Sequence, residues 1–124
     1  MPIFAVATET DHVAPWRSVY KIELLADTEV TFVLTTGGHN AGIVSEPGHS
    51  HRSFHIATHP AKGRYIDPET GVARASSRDG SWWPAWVDWL VGHSSERITP
   101  PSLADAEKGF PPLAAAPGGY VRDC

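Results

Sequence analysis

Apolar positions fall in three kinds of pattern along the chain. Ile3 to Ala7 is a short, wholly apolar run. A run of that kind predicts a strand buried on both faces, as in a parallel sheet. It stops at the polar stretch Thr8-Glu9-Thr10-Asp11-His12. Pro15 then fits the first turn of a helix, where its missing N–H costs nothing. Trp16, Val19, Tyr20 and Leu24 follow at helical spacing and form one apolar stripe, with Arg17, Ser18 and Lys21 opposite. Glu23 falls inside the stripe and spoils it. Val30 to Leu34 (Val-Thr-Phe-Val-Leu) is β-branched and aromatic and predicts a second buried strand. Strand, helix, strand at this spacing is a βαβ unit, with parallel strands and a right-handed crossover expected.

Ser45 to Ser77 shows no periodicity and reads as a long irregular excursion rich in Gly, Pro, His and Arg. Gly80-Ser81-Trp82-Trp83-Pro84 opens another helix, with Ser81 as its N-cap and Pro84 in its first turn. Trp82, Trp86, Trp89 and Leu90 share one face of it, and Trp83, Val87 and Val91 cover much of the other. A helix that apolar is expected to be buried or to lie in an interface. After Gly92 the chain turns Pro-rich and is expected to be extended. The expected organisation is therefore an α/β segment over residues 1–93 and a tail over residues 94–124. The sheet it implies is incomplete, because two parallel strands cannot bury both faces under the helices present.

Composition narrows the functional classes. The 124 residues carry a formal net charge of −4 and no basic cluster, so nucleic acid is not an expected partner. Charged residues are 19%, below the roughly 25% of typical soluble domains. That deficit predicts that more of the surface is covered than this chain covers alone. No apolar run approaches the ~20 residues of a membrane-spanning helix, so no membrane is expected either. Cys124 is the one cysteine. It excludes an internal disulfide and a cysteine-based zinc site, and it fits a cytoplasmic protein.

In open α/β sheets, functional groups collect in the loops after the carboxyl ends of the strands. The first such loop carries Asp11, with His12 beside it. The second, Thr35-Thr36-Gly37-Gly38-His39-Asn40, carries His39, and Gly37 and Gly38 suit a tight turn there. A carboxylate after one strand and a histidine after the next make two-thirds of a nucleophile–histidine–acid triad. The plainer readings are a helix cap for Asp11 and a surface loop histidine for His39. His12 is the rival histidine, although adjacent side chains tend to diverge. His49, His51, His55 and His59 form a second cluster. With no Asp, Glu or Cys among them, they read as a solvated loop rather than a metal site. No Gly-x-Ser-x-Gly or Gly-x-Cys-x-Gly elbow is present. Cys124, on a terminal tail, has nothing near it in sequence to activate it.

Several segments carry a resemblance. Pro2 to Lys21, Val30 to Val44 with its Gly-His-Asn-Ala-Gly, Gly80 to Val87 (Gly-Ser-Trp-Trp-Pro-Ala-Trp-Val), and more loosely Ala116 to Val121 resemble the C-terminal catalytic region of polyhydroxyalkanoate synthases. The match runs almost end to end. It implies part of an α/β-hydrolase fold and a cysteine–histidine–aspartate triad that polymerises (R)-3-hydroxyacyl-CoA with release of CoA. By motif, Asp11 would be the triad acid and His39 the base. No cofactor is implied beyond acyl-CoA as substrate. The implied partners are that substrate, the polyester chain, and a missing N-terminal portion or a second copy. The implied location is the cytoplasm and the polymer granule. Full synthases are several times longer and keep their cysteine elbow upstream, so the chain is expected to be a C-terminal piece, inactive alone. Two rivals stand beside this reading. One is a non-catalytic docking module using the Trp helix and free strand edges. The other is a fragment of a serine hydrolase.

Overall fold

The computed structural model describes residues 1–119 and 121. They form two compact units, Met1–Ser94 and Ser95–Cys124. The first unit is a mixed α/β arrangement. Its elements in chain order are β1 (Ile3–Thr8), α1 (Trp16–Tyr20), α2 (Ile22–Leu25), β2 (Val30–Thr35), β3 (Ser53–His59), α3 (Pro68–Arg74), β4 (Ser76–Asp79) and α4 (Trp83–Gly92). The four strands form one sheet in the order β1-β2-β3-β4.

β1 and β2 pair in parallel, from Ile3 opposite Val30 to Thr8 opposite Thr35. This is the βαβ unit expected from the two apolar runs. β2 is buried along its whole length. β1 is only half-buried until its last two residues, which corrects the expectation of burial on both faces. It is an edge strand, and among the described residues nothing pairs with its outer side.

Side chains alternate across the sheet with the period of two that a pleat imposes. Ala7, Phe32 and Leu34 pack with Tyr20, flanked by Ala5, Trp16, Val19 and Val72. Val33 and Phe54 pack on the opposite face with Trp82, flanked by Phe4, Val6, Ile56, Trp83 and Ala85. Helices α1 and α3 therefore cover one face and α4 the other. Edge-on contact between Tyr20 and Phe32, at 4.9 Å between ring centres, anchors the first layer.

Further expectations need correction. The stretch from Ser45 to Ser77 is not one irregular excursion, because it contains β3, α3 and the start of β4. β3 runs antiparallel to β2. It is a strand because β2 offers it a ladder, and its own His- and Thr-rich sequence gives only a faint alternation. α3 did carry a local signal: Asp67 caps it by accepting from the Thr70 N–H at 3.0 Å, and Pro68 opens it. β4 is exposed throughout and wholly polar in sequence, so no burial pattern could mark it.

The apolar stripe after Pro15 also breaks. At Lys21 the chain tightens, with ψ −12° and a Leu24 N–H to Lys21 carbonyl bond of 2.9 Å. An i→i+3 turn advances the helical phase. Leu24 consequently turns out to solvent, and the Glu23 side chain is buried in its place. At the N-cap of α4 Trp82 is buried, whereas Trp86, Val87, Leu90 and Val91 of the helix are exposed. The helix is thus half-covered rather than buried all round. Ser81 lies one residue before the N-cap position, Trp82. Its Oγ still accepts the Trp83 N–H at 3.0 Å.

In the second unit, Asp105 and Phe110 exchange two backbone hydrogen bonds around the short 3-10 turn Ala106–Lys108. That is a local turn where an extended tail was expected. Among the described residues no helix is long and apolar enough to cross a membrane.

Candidate functional site

Parallel pairing puts the carboxyl ends of β1 and β2 side by side, and the chain leaves both strands there through loops. In the first loop the Asp11 carboxylate is fixed by its own backbone. Oδ1 accepts the Val13 and Ala14 N–H groups at 2.8 and 2.9 Å, the Asx arrangement that also launches the turn before Pro15. Oδ2 lies 2.8 Å from His39 Nδ1 and 3.5 Å from the Thr8 hydroxyl, which donates to it. With Oδ1 committed to the backbone, Oδ2 has a defined direction.

The second loop turns at Gly37, whose φ of 110° is open to glycine. Gly38 needs no such freedom: its φ is ordinary, and a Cβ there would only touch the Thr10 hydroxyl at 3.8 Å. One glycine, not two, makes this turn. The loop then winds once, with Gly42 N–H on the Gly38 carbonyl and Val44 N–H on that of Asn40. His39 sits on this winding.

Hydrogen bonds from the Ala14 backbone, from His39 and from the Val13 backbone hold Asp11 at about 2, against an ordinary value of 3.8. It is ionised at neutral pH and can only accept. The His39 Nδ1 must therefore carry the proton and donate it. In the neutral ring Nε2 then has a free lone pair, on a side chain that is 48% exposed. An imidazole held in this tautomer by a carboxylate is a general base, and when protonated its charge is stabilised by that carboxylate.

The other singled-out residues stand apart from this pair. His12 is exposed. His49 Nδ1 meets Glu46 Oε1 at 3.0 Å, and His51 takes a left-handed φ of 59°. His55 and His59 lie on β3 rather than in a solvated loop. No group of three or more His, Cys, Asp or Glu side chains able to hold a metal ion occurs among the described residues. Cys124 lies outside them.

A second carboxylate–histidine pair was not anticipated as such. His59 Nδ1 approaches Glu23 Oε2 at 4.0 Å, with both side chains largely buried. Burial pushes the Glu23 carboxyl upward, against the Tyr20 hydroxyl and the His59 ring, which hold it back. Among the described residues, Glu23 Oε2 and His55 Nδ1 have no hydrogen-bond partner. They flank a cavity of about 20 Å³ lined also by Tyr20, Phe32, Leu34 and Gly71, room for one water. The signal in the sequence was the acidic residue interrupting the apolar stripe.

The first site defines a class: an α/β domain presenting a carboxylate-oriented imidazole at the carboxyl end of a parallel strand pair. The relatives of the chain are more particular. It is 39% identical over 122 residues to the poly(3-hydroxyalkanoate) polymerase of Methylorubrum extorquens, covering 98% of this chain and 19% of that protein. It is 36% identical over 119 residues to poly(3-hydroxyalkanoate) polymerase 2 of Ectopseudomonas oleovorans, covering 95% and 20%. With the poly(3-hydroxyalkanoate) polymerase subunit PhaC of Cupriavidus necator it shares 32% over 123 residues, covering 98% and 20%. No protein-family model matches the chain. These relatives bear out the resemblance to the C-terminal region of polyhydroxyalkanoate synthases. The chain spans about one-fifth of the length of the curated relatives it matches.

Proposed function

We propose that this chain supplies the acid and the base of a polyhydroxyalkanoate synthase, on an α/β-hydrolase fold completed by sequence outside these 124 residues. The observation that carries the reading is the 2.8 Å contact between His39 Nδ1 and Asp11 Oδ2, across the loops that follow two parallel strands. The nucleophile in this reading is a cysteine from outside the chain. His39 Nε2 removes the thiol proton, and the thiolate attacks the thioester carbonyl of a (R)-3-hydroxyacyl-CoA. The CoA thiolate leaves with the proton returned by the imidazolium, and the acyl group stays on the cysteine. His39 then takes the proton of an incoming 3-hydroxyl. Its oxygen attacks the acyl-cysteine, the ester forms, and the cysteine thiol is regenerated with that proton. Asp11 holds the tautomer and stabilises the imidazolium in both halves. The free outer edge of β1 is where the remaining strands would pair, and the cytoplasm with its polymer granules is the proposed location.

A chimera tests this. The chain replaces the matching fifth of the Methylorubrum polymerase, and CoA release from 3-hydroxybutyryl-CoA is followed with a thiol reagent. The folded chimera is expected to release CoA, and His39→Ala to abolish it. A His39→Ala chimera as fast as its parent would end the proposal.

A further inference from the structure

The motif Gly80-Ser81-Trp82-Trp83 has no place in the chemistry above, yet it makes a run of contacts with the loop that carries His39. In the winding from Gly38 to Val44, the N–H groups of Gly42, Ile43 and Val44 bond to the carbonyls of Gly38 and Asn40. Like the end of any helical turn, the winding leaves carbonyls with no partner further along. Two of these, on Gly42 and Ile43, and the carbonyl of Ser45 just beyond the winding meet donors from the segment leading into α4. The Trp82 indole N–H donates to the Gly42 carbonyl at 3.1 Å. The Trp83 indole N–H donates to the next carbonyl, Ile43, at 3.0 Å. The Ser81 hydroxyl donates to the carbonyl of Ser45. Trp82 is itself 6% exposed and packed between Val33 of β2 and Phe54 of β3, so the donors are mounted on the sheet.

We infer that Ser81, Trp82 and Trp83 are positioning residues for His39: three side-chain donors that cap the carbonyl end of its loop and thereby hold the imidazole against Asp11. The alternative is ordinary packing by the two indole rings. Packing would be satisfied by any ring of similar size, whereas capping needs the N–H. His39 itself has nothing else to fix it, since its side chain is half-exposed and its one described partner is Asp11. The direction of Nε2 therefore depends on where the loop backbone is held. The inference rests on the proposed function only in giving His39 a task; the geometry stands without it.

The discriminating variants are Trp83→Phe and Ser81→Ala, which remove a donor and keep most of the packing. Trp86→Phe is the control, since that indole lies beside Trp82 at 5.9 Å but donates to no acceptor among the described residues. In the ¹⁵N-labelled 124-residue chain, two-bond ring couplings report the His39 tautomer. The parent and Trp86→Phe should hold the proton on Nδ1. Trp83→Phe and Ser81→Ala should shift population to the Nε2–H form while near-UV circular dichroism shows the sheet layers intact. In the chimera the same two variants should lower kcat by on the order of tenfold to a hundredfold with KM held, the size expected of a misplacement near 1 Å. An Nδ1–H tautomer and a kcat unchanged in both variants would overturn the inference. A parent chimera that releases no CoA would instead sink the proposed function, and the tautomer measurement would still decide the clamp.

Discussion

Two carboxylate–histidine pairs lie at opposite ends of β2, and their carboxyls are displaced in opposite directions. Asp11 and His39 follow the carboxyl ends of β1 and β2. Glu23 and His59 sit at the other end, where His59 of β3 is in register with Val30. Asp11 is held down because two backbone N–H groups and an imidazole all donate to it. Glu23 is pushed up because burial removes water, and among the described residues Oε2 has no donor. Residue type is nearly the same in the two places; the supply of donors is what differs. Loops after parallel strands present free N–H groups to a side chain, whereas the Glu23 end is walled by apolar side chains of α1, β2 and α3. A satisfied, oriented carboxylate can direct an imidazole. An unsatisfied one chiefly costs stability.

The sharpest way to break this contrast is in the chimera. Asp11→Asn should cut CoA release on the order of 10³- to 10⁴-fold, because an amide allows the wrong histidine tautomer. Glu23→Gln should leave the rate unchanged. Equal losses in the two variants would remove the distinction between the pairs.

A steric substitution comes next. A Cβ at Gly71 of α3 would stand 2.1 Å from the Tyr20 hydroxyl oxygen and 2.9 Å from the ring carbon that bears it. Tyr20 is 3% exposed and cannot swing away. Gly71→Ala should therefore destabilise by about 1–3 kcal/mol, outweighing the ~1 kcal/mol that alanine gains in a helix. Urea unfolding measures it, and an alanine variant more stable than its parent would show that the Tyr20–Glu23 layer is loose.

The pH dependence of stability should separate the pairs by sign. Asp11 is lowered on folding, so its contribution is present above its ordinary value of 3.8 and is lost as pH falls towards about 2. Glu23 is raised on folding, so its ionised form penalises the fold, and that penalty grows as pH rises from its ordinary 4.5. Glu23→Gln should accordingly raise the urea midpoint at pH 7, with the gain fading below the usual carboxylate range. A gain that persists at pH 3 would trace to packing rather than charge. The smallest effect belongs to Arg17 and Glu69, an ion pair 2.5 Å apart with both side chains 59% exposed. Arg17→Ala should lower the urea midpoint least of these variants, and by less still in high salt.

Much of the Asp11–His39 end was legible from residue order alone. Two apolar runs of strand length separated by an amphipathic helix are expected to pair in parallel, because a helix is the usual crossover of such a pair, and parallel pairing brings the two following loops to the same end of the sheet. The Glu23–His59 end was not legible. Glu23 is buried because the chain tightens at Lys21, and His59 faces it because β3 is recruited antiparallel to β2. Neither event leaves a periodic trace: β3 alternates faintly and β4 is polar throughout. The Asp67-Pro68-Glu69-Thr70 cap was the one local sign of structure in that region.

Local chemistry thus settled what strand propensity, capping and chain direction can settle: the parallel pair and the two loops that carry Asp11 and His39. Tertiary structure alone decided which histidine meets a carboxylate, which face of α4 stays bare and which donors reach the carbonyls of the His39 loop. Those outcomes depend on contacts between residues tens of positions apart, whose geometry is set by packing on the sheet and not by any pattern a single segment carries.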